Sequence, residues 1–234
     1  PYIDHISANP GKLRIGLWNE SPRDDLELHE DCRQLTQETA ELLESLGHHV
    51  DEAHPPALDD PGIGGRFSAI WMAGANLTYR TWETSGRDVT IDDVEIGTWL
   101  MAQHGSTTTG LEVMQAQAAM GAMRRATLQW WEDGWDLLLT PTTLQPPPRI
   151  GDLTSTEDDP MRNSMRSIPY AAYTSPFNAT GQPAISLPTG FTKDGLPIGV
   201  QLVAAYGRED ILFQVGAQIE NEIQWSENRA PIHA

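Results

Sequence analysis

The side chains of this 234-residue chain that could do chemistry are mostly carboxylates, 33 Asp and Glu against 15 Lys and Arg. Adjacent acids occur at Asp24-Asp25, Asp92-Asp93 and Asp158-Asp159. Paired carboxylates divide general acid from general base work only when their surroundings push their pKa values apart. In polar stretches such as these they read as solvated faces. His48 and His49 are neighbours, so a strand would point them to opposite faces. With only His54 near them in sequence they do not form a convergent ligand set, and no metal site is expected. Gly-x-Ser-x-Gly, a Walker-type phosphate loop and cysteine-based zinc patterns are all missing. Gly62-Ile63-Gly64-Gly65 follows a proline rather than a strand, which reads as a loop and not a dinucleotide site. No cofactor is expected.

The single cysteine, Cys32, excludes an intrachain disulfide and fits a reducing cytoplasm, the expected location. A formal net charge of −18 repels phosphate backbones and speaks against nucleic-acid binding. The apolar runs are short and broken by Gly, Pro or charge, so no membrane span is expected. Residues Pro1 to Pro10 lack the basic start and apolar core of a secretion signal.

The elements that must position any site read as α/β. Leu13, Ile15 and Leu17 alternate with Arg14 and Gly16, which predicts a strand. Cys32, Leu35, Thr39, Leu42, Leu43 and Leu46 recur at helical steps, Gly47 stops the helix, and His48 to Asp51 reads as a second strand. This βαβ unit, over 11–53, predicts two parallel strands with a crossover helix. A helical region follows over 61–135. Phe67, Ile70, Trp71, Ala75 and Leu77 would line one face of its first helix. A second helix spans about Leu111 to Trp131, with a cap within Ser106 to Thr109 and with Met114, Met120 and Met123 filling core gaps. Over 136–224 come a buried strand at Asp136 to Thr140, a long polar loop from Pro141 to Pro169, strands at Ala184–Leu187 and Ile198–Val203, and a final helix. Ile211, Leu212, Val215, Ile219 and Ile223 form that helix's apolar face, and Glu209 and Asp210 occupy its first turn.

The most informative string runs from Ser175 to Val203. Gly181 and Pro183 can make a turn, and Gly190 and Gly195 can close a hairpin, but that account does not explain the particular residues. Asn178, Gly181 and Pro183, then Gly195, Leu196, Pro197, Gly199 and Gln201, resemble the C-terminal signature region of the amidase-signature family. Leu13-Arg14-Ile15-Gly16 and the run from Asp136 to Pro141 followed by Thr142 are similar to family strands in order and spacing. The resemblance covers essentially the whole chain. It implies the C-terminal half of the amidase-signature fold, a mixed sheet flanked by helices, as one portion of a single domain over 1–234.

It also implies hydrolysis of a carboxylic amide to a carboxylate and ammonia or an amine. Family members use a nucleophilic serine, a second serine in a cis peptide bond, and a lysine, and acyl transfer needs such an activated nucleophile with donors for the oxyanion. Those residues belong to a Gly- and Ser-rich stretch that this sequence does not contain. Lys12 precedes a strand and Lys193 lies in a turn, so neither stands in for the lysine, and no catalytic residue is expected here. The expected partners are a small-molecule amide and the missing N-terminal half of the same enzyme. A half-sheet exposing an apolar edge also predicts self-association. Thr140, Thr142 and the Pro141–Pro169 loop lie where α/β sheets bind ligands, beyond strand ends. By resemblance, Trp71, Phe177 and Asn178 approach the acyl side of the substrate, although simple packing accounts for each of them equally well. Ala171 stands where the transamidases of the family, the A subunits of glutamyl-tRNA amidotransferases, place an acid, and basic residues are lacking around Asp92 to Ile96. Both departures favour a neutral-amide hydrolase, with linear, aryl and cyclic amides open. The alternatives are a subunit like those of the amidotransferases, a non-catalytic binding or interaction module on the same fold, and an unrelated α/β binding domain.

Overall fold

Alternating apolar residues form the strand β1 (Arg14–Leu17), and the three- and four-residue spacing that follows forms α1 (Glu30–Ser45). The His29 ring caps α1 by accepting the Asp31 backbone N–H at 3.1 Å, and Gly47 leaves the helix at φ +95°, where a side chain would strain the backbone. Strand β2 (His49–Glu52) then returns parallel to β1, as the sequence predicts. A computed structural model describes the protein over residues 1–227, in two compact units. The first takes residues 1–59, 126–147 and 170 onward; the second takes 60–125 and 148–169.

The second unit is helical. It holds α2 (Ile63–Thr84), α3 (Ile96–Gly105) and the start of α4 (Gly110–Glu132). Thr109 and Glu112 cap α4 reciprocally: Thr109 Oγ1 accepts the Glu112 N–H, while the Glu112 carboxylate accepts the Thr109 N–H. Helix α3 meets α2 so closely that a Cβ at Gly105 would stand 1.9 Å from the Met72 carbonyl oxygen. The apolar face expected on α2 is not core: Trp71 is 56% and Leu77 is 67% exposed. Met120 and Met123 are buried, but Met114 is exposed and fills no gap. The long polar loop is not wholly irregular either, since α5 (Arg162–Arg166) forms within it.

In the first unit, β3 (Leu137–Pro141) is buried along its whole length and pairs parallel to β1. Two short helices, α6 (Ile168–Ala171) and α7 (Ser175–Thr180), lead to β4 (Ala184–Phe191) and β5 (Pro197–Ala204), an antiparallel pair closed by the expected turn. Helix α8 (Glu209–Ile223) follows. The sheet order is β2-β1-β3-β5-β4. Because β5 runs antiparallel to both β3 and β4, those two point the same way as β1 and β2.

Ile15, Leu17, Leu137, Leu139, Val200 and Leu202 form one apolar sheet face, covered by Ala40 and Leu43 of α1 and by Ile211, Leu212, Val215 and Ile219 of α8. Each such buried aliphatic side chain contributes about 1.5–3 kcal/mol. His48 ties the unit together: its Nδ1 accepts the Leu13 N–H at 3.2 Å and its Nε2 lies 3.0 Å from Gln218 Oε1 of α8. His49 is exposed, which confirms the opposite faces expected of the pair.

Gly199 and Gly74 make opposite predictions. A Cβ at Gly199 would lie 2.5 Å from the Leu187 carbonyl oxygen of the adjacent strand, whereas one at Gly74, inside α2, meets nothing within 4 Å. Chemical denaturation should show Gly199→Ala destabilised by about 1–3 kcal/mol through overpacking. Gly74→Ala should gain about 0.5–1 kcal/mol, because Ala loses less chain entropy in a helix.

Candidate functional site

β1, β2, β3 and β4 all present their carboxyl ends at one edge of the sheet, where open α/β sheets place ligands. The crossover through α1 carries the chain from β1 to one side, and β3 lies on the other, so the strand order reverses at β1. Beside the end of β1 at this reversal, Tyr173 is fully buried. Its ring meets Trp18 edge-on at 5.5 Å between centroids, and Trp18 in turn stacks on His54 at 4.5 Å. The Tyr173 hydroxyl donates to the Glu20 carbonyl at 2.6 Å, and burial pushes its pKa well above the usual phenol value.

Gln201, buried in the middle of β5, holds Tyr173 from its other end. Its Nε2 donates to Thr140 Oγ1 at 3.2 Å and to the Tyr173 carbonyl at 3.3 Å. The neighbouring string works in the same way. Gly181 ends α7 in the left-handed region at φ +76°, and Gln182 accepts from Thr180 Oγ1 while donating to the Ala204 carbonyl. These residues pin the helical segment before β4 onto the sheet.

Among the described residues, grooves at the carboxyl edge of this unit include a larger and a smaller one. The larger, about 690 Å³, runs beside α1 and is walled by Glu20, Glu30, Glu38, Glu41, Glu52 and Arg33, among others. Arg33 is already paired to Glu20 at 2.7 Å, leaving an acidic surface with no convergent nucleophile. The smaller, about 330 Å³, lies beyond β3. Thr142, Thr143, Gln145, Tyr170 and Ser186 supply its polar groups, and Pro147, Leu187, Pro188, Pro197 and Ile198 its apolar ones. No lining residue is charged, in a chain with 33 acids and 15 bases. Its volume sits at the low end for small-molecule sites. Among the described residues, no cluster of three or more His, Cys, Asp or Glu could hold a metal ion.

Of the residues expected at a site, Thr142 lies in the smaller groove, with its Oγ1 2.8 Å from Ser186 Oγ. Thr140 is fully buried, bonded to Gln201 and to the Pro141 carbonyl. Phe177 is buried in α7 and Asn178 is exposed on it. Trp71 belongs to the second unit, packed against Phe67 at 5.6 Å between rings. Sequence reasoning misses Ser186 and the hydrogen bonds that fix Tyr173. The strand alternation of β4 could have marked Ser186, which stands opposite Gln201 in the ladder. Lys12 is exposed, and Lys193 lies in the hairpin turn with its backbone N–H on Asp31 Oδ2 at 3.1 Å. Neither is placed as a buried base.

Cys32 is buried, and desolvation with the Asp31 charge beside it pushes the thiol up to about 11. Native protein should therefore react with a disulfide reagent at neutral pH on the order of a hundredfold more slowly than protein unfolded in urea, because the thiolate is the nucleophile. Fast native labelling would contradict this burial. Tyr173→Phe should cost about 1 kcal/mol in chemical denaturation, the usual worth of one hydrogen bond. Tyr173→Ala should cost about 3–5 kcal/mol, since it opens a cavity under Trp18.

Sequence and structure comparisons place this architecture. A family model described as Amidase matches residues 2–213. The 6-aminohexanoate-cyclic-dimer hydrolase of Paenarthrobacter ureafaciens is 40% identical over 235 positions, 98% of this chain and 48% of its own length. A solved 6-aminohexanoate cyclic dimer hydrolase superposes with a TM-score of 0.91 at 40% identity, covering 99% of this chain and 49% of that one. The amidase-fold component of the glutamyl-tRNA(Gln) amidotransferase of Thermotoga maritima shares the fold at 20% identity and a TM-score of 0.58, over 95% of this chain and 44% of its own. The chain spans about half the length of the curated relatives it matches. No helix among the described residues is long and apolar enough to cross a membrane. The mixed sheet and its helices are those of the amidase-signature enzymes, nearer the cyclic-dimer hydrolases than the transamidase, and the chain belongs to the amidase family.

Proposed function

We propose that this chain forms part of an amide hydrolase, in which water is added across a carboxylic C–N bond to give a carboxylate and an amine or ammonia. The observation that carries the proposal is 40% identity across 98% of the chain to a hydrolase of an amide. In this reading the serine nucleophile, the second serine and the lysine come from the part of the relatives' length that this chain does not span. The chain contributes one wall of the substrate site. Thr142 faces the ligand, Thr140 supports it from beneath, and Phe177 and Asn178 belong to the acyl side. The outer edge of β4 carries no strand among the described residues, and it offers the triad-bearing half a ladder to extend.

The substrate class is an uncharged amide. The relative's name specifies a cyclic dimer of 6-aminohexanoate, and the uncharged lining of the 330 Å³ groove supports a neutral ligand. A carboxylate-bearing substrate entering that groove would lose water without gaining a counter-charge. The same reading puts the protein in the cytoplasm, where Cys32 stays reduced, and gives its net charge of −18 no role in binding nucleic acid.

The test is turnover of 6-aminohexanoate cyclic dimer by the chain alone and after co-expression with a triad-bearing half. The chain alone should be inactive, and the pair should hydrolyse the dimer while leaving glutamine intact. Turnover by the chain alone would overturn the placement of the triad. A folded pair inert towards neutral amides would favour a non-catalytic binding module.

A further inference from the structure

We propose that Ser186 and Thr142 form a subsite for a second, non-reacting amide group of the ligand, so that the groove selects uncharged diamides. This rests on the amide-hydrolase reading for its place in a reaction, but the binding it describes stands on geometry of its own.

The two hydroxyls sit 2.8 Å apart, and either can be the donor. Whichever one donates, the partner's O–H stays available, and both oxygens keep lone pairs. The pair can therefore give a hydrogen bond to a carbonyl and accept one from an N–H, the two groups that an amide presents together. Carboxylates accept only and ammonium groups donate only. Neither would find a counter-charge here, because no residue lining the groove is charged.

The neighbouring Thr143 and Gln145 each spend a donor on a backbone carbonyl of the chain. Thr143 Oγ1 donates to the Gln145 carbonyl at 2.8 Å, and Gln145 Nε2 donates to the Glu27 carbonyl at 2.8 Å. Thr142, just past the end of β3, and Ser186, within β4, are bonded to each other although they belong to separate strands. Both are held from the backbone. The Thr142 N–H donates to the Gly199 carbonyl at 3.1 Å, and Ser186 is fixed opposite Gln201 in the β4–β5 ladder. A ligand amide thus meets a pair whose geometry is set before it arrives. Beside it, Leu187, Pro188, Pro197 and Ile198 offer apolar surface for the methylenes between two amides. Gly199 also lines the groove.

Calorimetric or NMR titration of the full chain with adipamide, a small uncharged diamide, tests the proposal, with adipate as the charged counterpart. Hydrolysis is not needed for this readout, so it separates the subsite from the proposed activity. Wild-type protein should bind adipamide and not adipate, and Ser186→Ala and Thr142→Val should each weaken adipamide binding roughly tenfold. The double variant should be little worse than either single one, because the two hydroxyls act as a unit. Ser45→Ala, a control at an exposed hydroxyl at the end of α1 and outside the groove, should bind as wild type, and thermal unfolding should show all variants folded. Failure of wild-type protein to bind adipamide, equal binding of adipate, or unchanged affinity in folded Ser186→Ala and Thr142→Val would each overturn the subsite.

Discussion

A carboxamide buried in the middle of a sheet has to find partners, and the geometry of this site follows from where Gln201 finds them. Leaving a buried donor unpaired costs about 1–3 kcal/mol, so the Gln201 side chain fixes whatever satisfies it. It takes the hydroxyl of Thr140 at the end of β3 and the carbonyl of Tyr173. That second bond holds Tyr173 against the sheet, where its ring packs edge-on against Trp18 and its hydroxyl reaches the Glu20 carbonyl. Beyond β3, the open surface is the uncharged groove holding Thr142 and Ser186.

The elements legible in the sequence are those whose periodicity coincides with burial. β1, α1 and α8 contribute residues whose spacing matches the face they bury, as Ile15 and Leu17 or Ile211, Val215 and Ile219 do, whereas β3 is legible as an unbroken apolar run buried along its length. Periodicity fails where an apolar face has nothing over it among the described residues. Phe67, Ile70, Trp71 and Leu77 have helical spacing, yet Trp71 and Leu77 are exposed, because spacing reports a face and not its cover. α7 escapes notice for another reason: six residues are too few to show a period. Its signal is chemical, with Pro176 in the first turn and Gly181 leaving at positive φ.

The candidate site is only partly legible for a related reason. Thr142 can be read from its place after a buried strand. Ser186 cannot, because its meeting with Thr142 depends on two antiparallel registers, β3 with β5 and β5 with β4, that join residues 44 positions apart. Gln201 stands in the recognised string, but the string gives no hint that it reaches Tyr173, 28 positions earlier. Family resemblance names such residues without supplying the physical need they meet, and hydrogen-bond satisfaction supplies it. The absence of charge in the groove is likewise a property of folding, since its lining comes from separated segments of a highly charged chain.

The central claim is that these residues build a wall of an amide-hydrolase site and none of its nucleophile. Intact-mass measurement after treatment with a fluorophosphonate, which modifies activated serines covalently, tests that claim most directly. The account predicts no stoichiometric adduct on the folded 234-residue chain, because no lysine here is placed to activate a serine. A single rapid adduct on one serine of this chain would contradict it.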